Sequence, residues 1–341
     1  MKQRTFYLDN VCCVLILHMI YTYHIAHSCG GFKPTVVVFI GTTLSFFMSW
    51  FFFKGGMMHK DTSTKQILHK SIKRLLVPFL IFLLIGLLLD GWIQYTKNID
   101  FVFVSFIKGE IVTFLTFALL WPTGASWFLL SLFIARICFN ILQKRIHPII
   151  ISIVFACFAY AIYIMNCHDW EFRVFIPGHN SYLDIPTFYM GNMCHGLSVY
   201  SLGYWLKEKQ FHRTIFVLAL ALFVLKYIIP AGIDFRANNS YDTNFMLSVL
   251  YGMSGCVVIN NFFKRFCNKR LPIITYIGRN SMVYYLVHFP VMYVTTCLFW
   301  DSFENKDLWI RFVVLSSIVT ISLILADYLF RVKKIRFLIG G

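Results

Sequence analysis

The chain of 341 residues is 58% hydrophobic and only 13% charged, and its formal net charge is +16. Soluble domains are closer to one quarter charged, so this composition indicates an integral membrane protein and excludes a pair of soluble domains. The basic residues lie in short loops between apolar stretches, which argues against nucleic acid as a partner. We expect one membrane domain over residues 1–341, an all-α helix bundle in a lipid bilayer.

Apolar stretches of about 20 residues, the length that a helix needs to cross the hydrocarbon core, recur along the chain. A further apolar stretch, 101–121, is interrupted by Lys108 and Glu110, so we predict an interfacial or re-entrant helix there, with an eleventh span as the alternative. The other stretches predict about ten transmembrane helices, at 11–28, 34–54, 78–96, 123–142, 148–166, 186–206, 214–232, 243–263, 272–297 and 309–331.

The distribution of basic residues predicts the orientation of these helices. The connecting segments at one face hold 21 Lys and Arg residues, and those at the opposite face hold seven. Cytoplasmic loops carry the excess of Lys and Arg, so both termini are expected in the cytoplasm. This favours a multi-pass protein of the inner or plasma membrane of the cell.

Ionisable residues inside predicted spans are costly and usually face a cavity or each other. Such residues are His18 and His24 in the first span, Arg136 in the fourth, and Arg279 and His288 in the ninth. On straight helices with a rise of about 1.5 Å per residue, His24 and His288 lie at about 20 Å from the inner face. On the same estimate the two arginines lie at about 10 Å. The alternative for each histidine is a hydrogen bond to a neighbouring helix, without a functional role.

Five segments, in order along the chain, form a recognisable pattern. They are RTFYLDNVCCVLILHMIYTYH (4–24), MSWFFFKGGMMHK (48–60), KRLLVPFL (73–80), SWFLLSLFIARI (126–137) and IGRNSMVYYLVHFPV (277–291). Together they resemble the membrane-bound acyltransferase 3 family, whose members acylate sugars of cell-envelope glycans, among other acceptors. Two positions depart from that pattern, because Cys12 stands where the family usually has Arg and Gly55 where it has Ser.

The resemblance implies an enzyme that transfers an acyl group, expected to be acetyl, from cytosolic acyl-CoA to a hydroxyl of an envelope glycan or a lipid-linked sugar. The family's first-helix catalytic histidine falls on His24, with His18 as the rival position, and His288 matches the closing motif. Such a reaction needs a general base, and a neutral imidazole serves near neutral pH. We expect His24 to be the base, with Asp9 orienting parts of the site.

The phosphates of acyl-CoA suit a set of basic side chains near the cytoplasmic face. The candidates are Lys54 and Arg74 in the basic 54–77 segment, together with Arg136 and Arg279. The alternative for that segment is charge that only sets the topology. Acyl-CoA is expected as a substrate, with no permanently bound cofactor and no metal.

Two other classes of function stay open. A transporter or flippase of a glycan or lipid-linked sugar suits polar residues at mid-membrane equally well, although no internal repeat is visible. A non-catalytic scaffold is disfavoured, because the outer loops are short.

Overall fold

A computed structural model of the chain describes residues 5–30, 34–97, 102–117, 121–167, 173–176, 181–184, 187–231, 245–303, 306–332 and 336–340. In chain order the α-helices are α1 (Phe6–Leu17), α2 (Ala26–Ser28), α3 (Thr35–Thr43), α4 (Phe47–Met57), α5 (Thr64–Ser71), α6 (Val77–Lys97), α7 (Phe103–Phe117), α8 (Trp127–Leu142), α9 (Pro148–Cys167), α10 (Thr187–Leu206), α11 (Arg213–Leu225), α12 (Phe245–Phe266), α13 (Pro272–Arg279), α14 (Ser281–Phe303) and α15 (Leu308–Leu329). Two π-helical stretches (His18–Ile25, Ile72–Leu76) and three 3₁₀ turns (Trp121–Ser126, Lys209–Phe211, Arg336–Ile339) complete the helical structure of these residues. The all-α prediction is confirmed.

Eight stretches among the described residues are long and apolar enough to cross a membrane. They are Phe6–Ser28, Thr35–Met57, Thr64–Lys97, Pro122–Leu142, Pro148–Met165, Phe245–Phe266, Ser281–Phe299 and Leu308–Leu329. The apolar helix α11 is shorter. A polytopic helical bundle is therefore confirmed, whereas the count of ten spans, their orientation and the extent of the domain stay predictions.

Helix α10, which corresponds to the predicted span 186–206, lies inside the bundle and packs against α4, α8 and α9. It is rich in small and polar residues and is not one of the eight apolar stretches. Small residues let membrane helices approach closely. Gly56 of α4 and Gly203 of α10 show this, since a β-carbon on either would overlap backbone atoms of the other helix.

Three predicted spans are not single regular α-helices. The first runs from α1 through a π-helical stretch into α2, and the second breaks between Thr43 and Phe47. The predicted single helix 272–297 is wrong, because α13 ends at Arg279 and α14 begins at Ser281. At this break the backbone N–H of Asn280 donates to the carbonyl oxygens of Tyr276 and Ile277 in α13, each at 3.1 Å. Hydropathy averages over such breaks, so the sequence did not reveal them.

The connections on the predicted outer side contain additional short elements. The described part of helix α7 has 15 residues, fewer than the roughly 20 that a spanning helix needs, which agrees with the predicted interfacial or re-entrant helix at 101–121 rather than an eleventh span. Between α9 and α10 lie two short antiparallel strands, β1 (Arg173–Ile176) and β2 (Ser181–Asp184).

Candidate active site

Two histidines from distant parts of the sequence meet inside the bundle. The Nδ1 atom of His24 lies 2.8 Å from Nε2 of His288, and the two rings are stacked with their centroids 4.9 Å apart. Both side chains are buried, His24 at 5% and His288 at 0% exposure. A buried pair of imidazoles in contact, within two apolar spans, is an unusual placement of polar groups and marks a candidate functional site.

The hydrogen bonds define which ring nitrogens carry protons. The second nitrogen of His288, Nδ1, lies 3.0 Å from the Tyr284 carbonyl oxygen, which can only accept, so His288 Nδ1 is the donor. In a neutral ring Nε2 of His288 is then the acceptor, and His24 Nδ1 donates to it. Neutral His24 therefore carries its lone pair on Nε2. This is the protonation state that a general base requires.

Each helix that carries this pair has a local irregularity beside it. His24 lies in the eight-residue π-helical stretch His18–Ile25, and π-helical turns occur frequently at functional sites. On α14, Pro290 follows His288 by two residues and has no amide hydrogen to continue the helical ladder.

Aromatic side chains surround the pair. The Phe289 ring lies edge-on to His24, with a centroid distance of 5.3 Å, and the Tyr23 ring contacts His24 at 5.2 Å. The Tyr285 hydroxyl donates a hydrogen bond to the carbonyl oxygen of Ala125, in the turn before α8. These contacts join the first span, α14 and the start of α8, and they enclose the imidazoles in a low-polarity environment.

The rival first-helix position, His18, is also buried but lies elsewhere in the packing. Its ring contacts Phe47 of α4 edge-on, at 5.3 Å. Within the described part of the chain neither of its ring nitrogens has a hydrogen-bond partner. The structure thus joins His24, and not His18, to His288.

Asp9 lies in the first turn of α1, at the far end of the first span from His24. The α13 backbone crosses α1 here so closely that a β-carbon at Gly278 would overlap the Asp9 carbonyl oxygen. Arg279 follows Gly278 directly, so the backbones of Asp9 and Arg279 lie at the same helix crossing. Asp9 accordingly lies on the predicted cytoplasmic side, away from His24.

The prediction that Arg279 is buried within a span is wrong, because Arg279 is the exposed last residue of α13. It borders instead a pocket of about 310 Å³ at the predicted cytoplasmic face. The Tyr276 hydroxyl in the pocket wall donates to Asp327, which also pairs with Arg331 at 3.0 Å. The pocket is lined by Phe6, Arg270, Pro272, Thr275, Tyr276 and Arg279. Two guanidinium groups beside an aromatic ring can receive an anionic, aromatic ligand.

The other three predicted donor-binding cations lie outside that pocket. Arg136 of α8 is half-buried, and its charge acts on His59. Lys54 of α4 is half-buried with its ammonium 5.2 Å from the centre of the Trp50 ring. Arg74 is exposed, and its backbone packs against Gly340. The structure does not bring these three together with Arg279 in one site.

A polar cluster around His59 was not predicted, although His59 stands inside one of the family-like segments. His59 is buried at 3% exposure in the connection between α4 and α5. Its Nε2 lies 3.1 Å from the Gln143 amide and its Nδ1 2.8 Å from the Tyr200 hydroxyl. Asp61 accepts hydrogen bonds from Gln143 and from the Tyr204 hydroxyl. The cluster holds this connection against α8 and α10.

We expect the stability of the fold to decrease on acidification through His59. Burial lowers its pKa to about 4 from the ordinary 6.5, partly offset by Asp61. Between these values the unfolded chain binds a proton that the folded chain does not, so stability falls as pH falls from about 6.5 toward 4. The melting temperature of the purified protein at about pH 7 and about pH 5 measures this effect.

His59→Gln should weaken that dependence, because an amide does not titrate. His212→Gln is the control, since His212 is exposed at the start of α11 and makes no side-chain cap there. If the melting temperature of His59→Gln depended on pH as that of the wild-type protein does, His59 would not be the group that lowers stability in acid.

A buried carboxylate on α6, which contacts the helix that carries His288, was not predicted. Asp90 of α6 is 5% exposed and accepts hydrogen bonds from the Tyr293 hydroxyl at 2.5 Å and from Gln94 at 2.8 Å. Tyr293 follows His288 by five residues on α14. Glu110, from α7, adjoins Asp90. The sequence could have indicated Asp90, because an ionisable residue within an apolar stretch is a candidate for a functional site.

Comparison with known proteins identifies the family. The family model described as an acyltransferase domain, that of the acyltransferase 3 family, matches residues 6–327. No curated protein and no solved structure has a significant match to the chain. The matched region contains both histidines of the pair and, apart from residues 4 and 5, all five segments on which the resemblance rests. The chain therefore belongs to the acyltransferase 3 family.

Proposed function

We propose that the chain transfers an acyl group, acetyl in the first instance, from cytosolic acyl-CoA to a hydroxyl of a cell-envelope saccharide, with His24 as the general base. The observation that carries this proposal is the hydrogen-bonded sequence Tyr284 carbonyl, His288, His24. It supports a base because it leaves the lone pair of neutral His24 on Nε2. The family match favours this function over the transporter alternative.

The proposed reaction balances without a further reactant. His24 Nε2 removes the hydroxyl proton of the acceptor as the acceptor oxygen attacks the thioester carbonyl carbon. The carbon–sulfur bond then breaks, and the CoA sulfur leaves with the proton that His24 returns. The imidazolium formed in between donates its Nδ1 hydrogen to His288, which stabilises the charge in a buried site.

The donor is proposed to enter at the cytoplasmic face through the pocket between α1 and α13. Arg270 and Arg279 line this pocket and suit the phosphates of CoA, and Tyr276 offers a ring for the adenine. Arg136, Arg74 and Lys54 remain proposed contributors to donor binding. The envelope glycan or lipid-linked sugar would approach from the opposite side, in the cell membrane.

The proposal predicts a chemical change in the envelope. Cells that contain the protein should carry acylated glycans that are missing when its gene is deleted, as measured by mass spectrometry of isolated envelope glycans. Membranes supplied with acetyl-CoA labelled in the acetyl group should transfer the label to the same material. Movement of a glycan across the membrane without any acylation would contradict acyl transfer and favour the transporter.

The donor pocket gives a separate expectation. Arg270→Gln should raise KM for acetyl-CoA about fivefold, as loss of ~1 kcal/mol implies, with little change in kcat. The arginine binds the donor but does not touch the reacting atoms. Acetyl-dephospho-CoA, which lacks the 3′-phosphate, tests whether Arg270 contacts that group, because the variant should then not affect its KM.

Arg213→Gln serves as the control, since Arg213 is an exposed arginine at the start of α11, outside the pocket. If both substitutions raised KM equally, the overall positive charge of the protein, and not the pocket, would account for donor binding.

A further inference from the structure

The second membrane-spanning stretch is broken without a proline or glycine at the break. Helix α3 ends at Thr43, and α4 begins at Phe47. Leu44 and Phe46 have non-helical backbone angles, with ψ of 15° and 6°. The amino end of a half-helix inside a membrane carries partial positive charge and points at anionic groups in several membrane proteins. The 11-residue helix α4 presents such an end here.

A lysine ammonium lies at this break. Lys226, which follows α11, is 4% exposed, and its Nζ donates hydrogen bonds to the Thr43 carbonyl oxygen and the Ser45 hydroxyl, each at 3.3 Å. Both acceptors are neutral. Among the residues that the structure describes, no carboxylate pairs with this ammonium. A buried charge without a counter-ion is destabilising, so the site favours an anion.

An imidazole with unused hydrogen-bonding capacity adjoins the same break. His18 is 4% exposed, and both its ring nitrogens are buried without partners among the described residues. Its ring lies 5.3 Å from that of Phe47, the first residue of α4, and it is close enough to Lys226 for the lysine charge to act on it. Buried polar groups nearly always have a partner, so these nitrogens require an explanation.

We propose that Lys226, His18 and the amino end of α4 form a binding site for an oxyanion, the phosphate or carboxylate head group of a membrane-borne amphiphile. The ammonium supplies charge, and the imidazole and the half-helix supply hydrogen bonds. The surroundings are apolar, with the Phe223 ring 5.1 Å from the ammonium, which suits a ligand whose body is hydrocarbon. This site goes beyond acyl transfer and does not depend on it.

The experiment is a binding titration of the purified full chain in a neutral detergent, followed by native mass spectrometry. The probes are a polyprenyl monophosphate and its polyprenol, and oleate and oleyl alcohol. Each pair differs only in the oxyanion. We expect one molecule of an oxyanion probe to bind at least about tenfold more tightly than its alcohol, equivalent to about 1.4 kcal/mol. Preference for the phosphate or for the carboxylate identifies the source of the head group.

The variant Lys226→Met should remove the preference for the oxyanion, and Lys226→Arg should retain it. Lys209→Met is the matched control, because Lys209 is exposed near the opposite end of the bundle. Equal binding of oxyanion and alcohol, or an unchanged preference in Lys226→Met, would overturn the proposal. If Lys226→Met does not fold, the wild-type chain decides, since its melting temperature should rise with the oxyanion probe and not with the alcohol.

Discussion

Replacing His24 with alanine should reduce acyl transfer by about 10²–10⁴-fold, the contribution typical of a general base. The loss is expected in kcat, because the donor pocket at the far end of the first span is unaltered. Purified His24→Ala protein, assayed with labelled acetyl-CoA and an envelope glycan fraction, measures it. His288→Phe, which removes the acceptor for the His24 Nδ1 hydrogen and keeps a ring, should give an intermediate loss.

His212→Ala is the matched control for this prediction. His212 is exposed at the start of α11 and makes no side-chain cap there, so its removal should leave the rate unchanged. Full activity of His24→Ala would remove His24 from catalysis. If His18→Asn lost as much activity as His24→Ala while both proteins stayed folded, His18 would become the candidate for the general base.

Replacing Gly203 with alanine should destabilise the bundle by about 1–3 kcal/mol or more, the usual cost of overpacking a tight core. Its new β-carbon would overlap the Phe53 backbone on α4, which a side-chain rotation cannot relieve. The neighbouring contact is reciprocal, because Gly56 of α4 lies against the Tyr200 backbone of α10. The melting temperature in detergent and the yield of monodisperse protein measure the effect.

Gly41→Ala separates this packing effect from helix propensity. Gly41 lies in α3, and a β-carbon added there would have nothing within 4 Å, so alanine should leave stability equal or raise it by about 0.5–1 kcal/mol. If both substitutions changed the melting temperature alike, the close approach of α4 and α10 would not be the cause.

The sequence predicted the helical bundle because long apolar stretches have few alternatives to a membrane helix. It also predicted a shared depth for His24 and His288, and the structure places their rings in contact. It failed where position depends on tertiary packing. The break after Thr43 has no proline or glycine, and it is supported by Lys226 from more than 180 residues away along the chain.

Arg279 illustrates a second kind of failure. Hydropathy averaged α13 and α14 into one span, although α13 is an amphipathic helix that leaves Arg279 exposed. The central helix α10 shows the opposite error. It is predicted to cross the membrane, yet it is too polar to count among the eight apolar stretches. A helix surrounded by other helices need not be apolar. Hydropathy is therefore least informative in the interior, where the histidines lie.

The π-helical stretch that carries His24 has a consequence for the tolerance of the first helix to length changes. Each π turn holds one residue more than an α turn, because its hydrogen bonds span five residues and not four. Deleting one residue between His18 and Tyr23 would let the stretch revert to α-helix and leave His24 near its present angular position, whereas the same deletion in a regular α-helix would swing it by about 100° around the axis. The count of residues from Asp9 to His24 is thus a poor guide in comparisons between relatives, whereas the angular position of the imidazole is what such chains must keep.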